Sequence, residues 1–302
     1  MSHRTTLKVA SSQYPIGQPR TLAEWQEKIA LWVKNGAATG ADLLVFPEYA
    51  AIEQAACFGP EVYGDLKATL AKVADLADER VAFHAELAAE HGVHILVGSG
   101  PIRKPDGRFV NAAQLVTPAG AVGEQEKLVM TPFEREWGVT AGGPVRVFKT
   151  KLAIFGVAIC YDSEFPLLVR AMAEAGAEVV LVPSCTERVS GYHRVRIGSL
   201  ARALENTIAT VQSPTVGDAP WSPAVDFNSG AAGIYVPSEH DISDTGILAE
   251  GTLNAAQWVT ATIDLARLKR LRQTGEMHNY RDWALQPGAP MAPVDVEIVS
   301  LP

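Results

Sequence analysis

Short apolar runs alternate along this chain with stretches whose apolar residues recur at helical spacing. Leu7 to Ser12 reads as a first strand. Thr21-x-x-Glu24 has capping-box spacing and opens a helix whose stripe is Leu22, Trp25, Ile29, Trp32 and Val33, ended by Gly36 and Gly40. The run Ala41 to Phe46 is a second strand that stops at Pro47. Leu66, Leu70, Val73, Ala77 and Val81 then predict one long helix reaching about His91. Val93 to Gly98 is a strand, and Ala112 to Val116 with Val122 to Glu126 forms a hairpin around Thr117-Pro-Ala-Gly120. Lys151 to Ile159 is an apolar run after its lysine, with β-branched Ile154, Val157 and Ile159, the mark of a buried strand. Beyond it, Pro166 sits at a first-turn position of a helix carrying Leu167, Leu168, Met172 and Ala175, closed by Gly176. Glu178 to Val182, Ile208 to Gln212, Gly233 to Val236 and Trp258 to Ile263 are further strands, and Tyr192 to Asn206 is a helix.

Strands that alternate with helices and cluster late predict an α/β fold with a mixed sheet. No linker composition, repeat or low-complexity tract divides the chain, so residues 1–302 are expected to form one domain. Residues 265–302 are an extension, a short basic helix and then a Pro-rich tail from Pro287. That tail lacks the periodicity for its own core and is expected to wrap the domain or reach a partner subunit.

Composition narrows the classes. With 47% hydrophobic residues, a mean hydropathy of +0.06 and no apolar run of spanning length, the chain reads as an ordinary globular protein. Met1 to Lys8 has no signal-peptide core, which predicts a cytoplasmic protein without membrane association. A net charge of −8 argues against non-specific nucleic-acid binding. The basic cluster Arg267, Lys269, Arg270 and Arg272 alternates with leucines, as a solvated helix face does. Cys57, Cys160 and Cys185 lack CxxC spacing, so neither a disulfide framework nor a zinc knuckle is expected. His91 with His94, and His240 with Asp241 and Asp244, lack the further ligands of a metal site.

Candidate chemistry lies at strand ends. Glu48, Lys127 and Cys160 each follow an apolar strand, where a parallel sheet places its ligand site. A cysteine nucleophile needs a base for its proton and a cation or N–H for the oxyanion, and Glu48 and Lys127 have that chemistry. The strand-to-helix turn around Cys160 is expected to set the thiol near a positive helix end, favouring thiolate. No histidine is placed as well. Cys57 is expected to be structural.

Phe46-Pro-Glu48, Lys127 followed by Pro132-Phe-Glu134, and Cys160-Tyr-Asp-Ser-Glu-Phe-Pro166 resemble, in order, the three signature blocks of the nitrilase superfamily, the carbon–nitrogen hydrolases with a Glu-Lys-Cys triad. Ala201-Arg-Ala-Leu-Glu-Asn206, Asp264-Leu-Ala-Arg267 and the stretch Gly275 to Trp283 extend the resemblance over nearly the whole chain. It implies a four-layer α-β-β-α sandwich, a homodimer or larger homo-oligomer, and neither metal nor organic cofactor. It further implies Cys160 as nucleophile, Glu48 as general base, Lys127 as oxyanion-stabilising cation, and Glu134 as the glutamate that orients lysine and substrate. Val129 stands where many members carry a histidine, a departure read as a difference of subgroup.

The reaction so implied is hydrolysis of a small amide through a thioester on Cys160, with the oxyanion between Lys127 and the Tyr161 backbone N–H. Hydrolysis of N-carbamoyl amino acids or nitriles is the alternative within the family, and a non-catalytic binding role the alternative outside it. A papain-like Cys-His pairing fits no local sequence. Tyr161, Ser184, Cys185, Thr186, Glu187 and Arg188 flank strand ends on the same side and are the substrate-pocket candidates. Arg188 and Arg194 are the cations available to a substrate carboxylate. The loops 54–63, 131–143 and 218–229 are expected to set specificity.

Overall fold

The computed structural model describes residues 4–289 and 292–302. Its first half supplies β1 (Thr6–Pro15), α1 (Leu22–Ala38), β2 (Leu43–Val45), α2 (Pro60–Tyr63), α3 (Leu66–Asp75), α4 (Ala77–His91), β3 (His94–Arg103), β4 (Phe109–Val116), β5 (Val122–Glu126) and α5 (Pro132–Trp137). The second half supplies β6 (Val145–Lys149), β7 (Ile154–Val157), α6 (Pro166–Glu174), β8 (Val179–Ser184), α7 (Val189–Asn206), β9 (Ala209–Val216), β10 (Gly233–Tyr235), β11 (Ile247–Glu250), β12 (Gln257–Asp264), α8 (Leu265–Thr274), α9 (Asn279–Asp282) and β13 (Val296–Ser300).

The strands fall into two mixed sheets. One runs β12-β1-β2-β3-β4-β5, with β1 to β3 parallel and the other pairs antiparallel. The other runs β11-β10-β9-β8-β7-β6-β13, with β7 to β9 parallel. They meet at one corner, where Tyr14 and Pro15 of β1 pair with Thr215 and Val216 of β9. There the Ser11 hydroxyl donates to the Gln212 carbonyl at 2.6 Å, and the Ser12 and Ser213 hydroxyls bond at 3.0 Å.

Strand alternation explains the layers. Leu43 and Val45 of β2 enter the core that includes Phe148, Phe155, Val157 and Leu181 of the second sheet. Leu44 points the other way, into a cluster with Ile29 and Val33 of α1 and Leu87 and Ala88 of α4. Val169 and Met172 of α6 and Val195 of α7 cover the second sheet, so helices, sheet, sheet and helices stack as four layers.

Two expectations are corrected. The long helix of residues 66–91 is two helices, broken at Leu76, whose backbone lies at φ −95° and ψ 4°. Apolar spacing runs through the break, so periodicity cannot see it. The Val73 carbonyl there accepts from the Leu76 N–H at 3.3 Å and from the Arg80 guanidinium at 3.1 Å. The strand expected from Lys151 is only β7, because Thr150 closes a turn by accepting from the Leu152 and Ala153 N–H groups. That turn joins β7 to the unanticipated β6. The tail also carries a strand, β13, which returns to this same chain and pairs parallel to β6.

Candidate active site

Glu48 is set by the end of β2. The Phe46 N–H donates to the Leu96 carbonyl at 2.9 Å, and the Ser99 N–H donates to the Pro47 carbonyl at 3.1 Å. Between these bonds β3 shifts register, and Gly98 takes a φ of +88°. A Cβ there would lie 2.2 Å from the Pro47 oxygen, so only glycine lets the two strand ends approach. Tyr49, the next residue after Glu48, is left-handed at φ 57°, a sharp turn that leaves the carboxylate buried at the strand end.

Lys127 follows β5 directly. Its N–H donates to the Asn111 carbonyl at 2.7 Å and its carbonyl accepts from Gly142 at 2.9 Å, which fixes the base of a side chain that is 1% exposed. The ammonium reaches Glu48 Oε1 and Glu134 Oε2, each at 2.7 Å. Glu134 stands in the first turn of α5, in a capping box with Thr131. Its carboxylate also accepts from the Tyr49 hydroxyl at 2.8 Å.

Cys160 lies beyond β7 at the start of a 3-10 turn, Cys160–Glu164, in a left-handed conformation at φ 48°. Such backbone is costly for a residue with a side chain and is found where a site requires it. The Sγ atom faces the Cys185 carbonyl at 3.8 Å, and the Cys185 N–H donates to Glu48 Oε2 at 3.0 Å. One peptide segment after β8 thus touches both nucleophile and base.

Electrostatics correct the expected thiolate. Burial pushes the Cys160 thiol well above its ordinary value, Glu48 adds to the shift, and the opposing pull of Lys127 does not overcome them. The helix end is also farther than expected, because the 3-10 turn separates Cys160 from α6. Burial raises Glu48 as well, against the attraction of Lys127. Burial disfavours the Lys127 charge, but Glu48 and Glu134 outweigh it and hold the ammonium well above the usual lysine range. For Glu134 burial is likewise outweighed, by Lys127 first, and its pKa is lowered. The resting nucleophile is therefore a neutral thiol beside the Lys127 ammonium.

Other sequence candidates separate. Tyr161 is half-buried with its ring edge-on to Phe165, and the Arg194 guanidinium lies 5.7 Å from the ring. Ser184 is buried in the sheet, its hydroxyl donating to the Ser213 carbonyl at 3.3 Å. The Thr186 hydroxyl donates to the Ser229 carbonyl at 2.7 Å. Glu187 and Arg188 are exposed and paired with each other at 3.3 Å. Lying past the strand end, on the solvent side of the entry to α7, they do not join Cys160, Glu48 and Lys127. Arg194 pairs with Glu164 at 2.7 Å.

Two contributors escaped the sequence reading. Asn111 of β4 donates from one amide to Glu48 at 3.0 Å and to Glu134 at 3.1 Å, tying the two carboxylates together. A lone asparagine inside an apolar strand was the signal for it. Tyr49 was legible only as a neighbour of Glu48. Among the described residues no group of three or more His, Cys, Asp or Glu side chains is arranged to hold a metal, and no helix is long and apolar enough to cross a membrane.

Comparison with known proteins shows the family and the fold. Residues 8–273 match the family described as carbon-nitrogen hydrolase. A probable hydrolase of Bacillus subtilis, YhcX, is 34% identical over 277 residues, covering 91% of this chain and 53% of that protein. An (R)-stereoselective amidase of Pseudomonas sp is 34% identical over 188 residues, covering 61% of this chain and 63% of that protein. The chain thus spans between about half and two thirds of the length of these relatives. In fold, the carbon-nitrogen hydrolase of Helicobacter pylori G27 superposes with a TM-score of 0.73 at 18% identity, over 90% of this chain and 93% of that one. The amidase of Nesterenkonia sp. gives a TM-score of 0.68 at 21% identity, over 93% of this chain and 97% of that one.

Proposed function

Because the chain belongs to the carbon–nitrogen hydrolase family, we propose that it is an amidase, cleaving a small carboxamide to a carboxylic acid and ammonia or an amine through a thioester on Cys160. The observation that carries this reading is the fully buried Lys127 ammonium, fixed at 2.7 Å from both Glu48 and Glu134 in the site that holds Cys160. Water-excluded positive charge placed where an oxyanion develops is what acyl transfer needs.

Cys160 Sγ attacks the carbonyl carbon while its proton passes to Glu48, the carboxylate that burial has made a stronger base. The thiol is ionised only as it attacks, consistent with its raised resting pKa. Lys127 and the Tyr161 N–H hold the oxygen of the tetrahedral intermediate. Its collapse breaks the carbon–nitrogen bond, and the proton on Glu48 goes to the leaving nitrogen. Glu48 then takes a proton from water as it attacks the thioester, and returns it to sulfur when the acid departs. Glu134 and Asn111 keep lysine and base in register.

An amide is preferred over a nitrile because the amidase relative is the more similar, at 34% identity against 27% for the nitrilase of Pyrococcus abyssi. An uncharged substrate is preferred over an N-carbamoyl amino acid because Arg188 and Arg194 are each already paired with a carboxylate, Glu187 and Glu164. The cytoplasmic location and homo-oligomeric state remain part of this reading. Support for the latter is the outer face of α7, where Val189, Ile197 and Leu204 are exposed. Ammonia release from matched small amides, N-carbamoyl amino acids and nitriles tests the proposal. Turnover of the amides that disappears in Cys160→Ala is the expected result. Turnover of nitriles alone, or turnover retained in Cys160→Ala, overturns it.

A further inference from the structure

Asp162 is a buried carboxylate that the reaction above does not use. It accepts from the Val129 N–H at 2.8 Å, from the Leu128 N–H at 3.2 Å and from the Ile159 N–H at 3.2 Å. The first two groups directly follow Lys127 and the third directly precedes Cys160. These two segments come from different sheets and have no covalent reason to keep a fixed separation. From this geometry, and resting on the amidase reading, we propose that Asp162 is a positioning residue that clamps the lysine loop onto the nucleophile turn and so sets the oxyanion site.

The surroundings fit that role. Asp162 sits within the 3-10 turn that Cys160 opens, so the left-handed Cys160 and the clamp are one rigid unit. The turn is buttressed from behind by α7, where Gly198 lets the Ser163 carbonyl approach and Arg202 donates to that carbonyl at 3.2 Å. No cation contacts the Asp162 carboxylate among the described hydrogen bonds, so backbone N–H groups satisfy it, as they do an anion in a turn. Burial raises its pKa to about 7, against the opposing pull of Lys127 and of those three N–H groups. A tethered carboxylate is the shortest device that holds both segments, since a neutral amide offers one acceptor and turns a donor toward the remaining N–H.

Asp162→Asn tests this in the full chain. Its Oδ1 keeps the Leu128 and Val129 bonds while its NH2 faces the Ile159 N–H. If Asp162 positions Lys127 against Cys160, kcat for the amide falls roughly 100-fold, the cost of a displacement of about 1 Å in a reacting group, with KM little changed. Labelling of Cys160 by methyl methanethiosulfonate, which forms no oxyanion, stays near the wild-type rate, as does Tm. Unchanged kcat, or labelling and turnover lost together with Tm, overturns the proposal. Amide hydrogen exchange of wild-type Leu128, Val129 and Ile159 needs no variant: protection like that of the core strands supports the clamp, and loop-like exchange refutes it. Wild-type inactivity on every amide would instead refute the amidase reading, leaving the exchange result to judge the clamp alone.

Discussion

Each residue of the site carries a charge state set by its neighbours. Glu48 must be ionised to accept the thiol proton, and burial raises its pKa. The acid limb of kcat/KM is therefore expected above the ordinary glutamate value of about 4.3, and a limb at or below that value would contradict the assignment of the base. Lys127 neutralises two carboxylates that are each at most 3% exposed. Lys127→Met should lower kcat by roughly 100-fold to 1,000-fold and destabilise the fold by about 3–5 kcal/mol at pH 7. Glu48 and Glu134 are then better buried protonated, so part of that loss should return as the pH is lowered; chemical denaturation across pH measures it. The sequence made Glu48, Lys127, Cys160 and Glu134 legible because each belongs to a block with local order. It hid Asn111, whose role arises from the two carboxylates it faces across the sheet. It also misjudged the thiol, because the depth at which Cys160 is buried is a property of the packed sandwich.

Elements deliver these residues through a few enforced turns. Gly98 is the clearest case: its positive φ and its contact with the Pro47 carbonyl place the loop that carries Glu48. Gly98→Ala should cost more than about 1 kcal/mol and lower kcat as well as Tm, because the strain falls on the strand end that holds the base. Thermal melts and steady-state rates decide it, and an unchanged kcat would detach the bulge from the site. Strand positions in the sequence were readable from apolar runs, and α1 from its Thr21 cap, whose side chain accepts the Glu24 N–H at 3.2 Å. The break at Leu76 was not, since the apolar stripe continues across it and the competing bond comes from Arg80. Nor was β13, where half-exposed alternation beside prolines gives no periodic signal until β6 is there to pair with it.

At the scale of the whole molecule, the buried histidines contribute an acid-sensitive part of the stability. Burial lowers His84 and His94 to about 4 from 6.5. Above pH 6.5 both states are neutral and nothing is lost. Between pH 6.5 and 4 the unfolded chain binds protons that the folded chain refuses, so stability falls as the pH falls, by roughly 3 kcal/mol per histidine at the limit. Burial raises Asp162 and Glu48, which act in the opposite sense over the same range, so the histidine part is read by difference: urea midpoints of His84→Gln should fall less from pH 7 to 4.5 than those of the wild type, and parallel pH profiles would contradict the burial of His84. The exposed Ile197 of α7 offers a second test at this scale. Light scattering should report an oligomer that Ile197→Glu weakens, and a monomeric wild type would remove the paired assembly from the account.

The most direct measurement is intact mass of the protein quenched during turnover of a small amide, with peptide mapping of the adduct. The account predicts an increment equal to the acyl group, carried by Cys160, absent from Cys160→Ala and lost on hydroxylamine treatment. Turnover that proceeds with no acyl group ever on Cys160, or in Cys160→Ala at the wild-type rate, would contradict it.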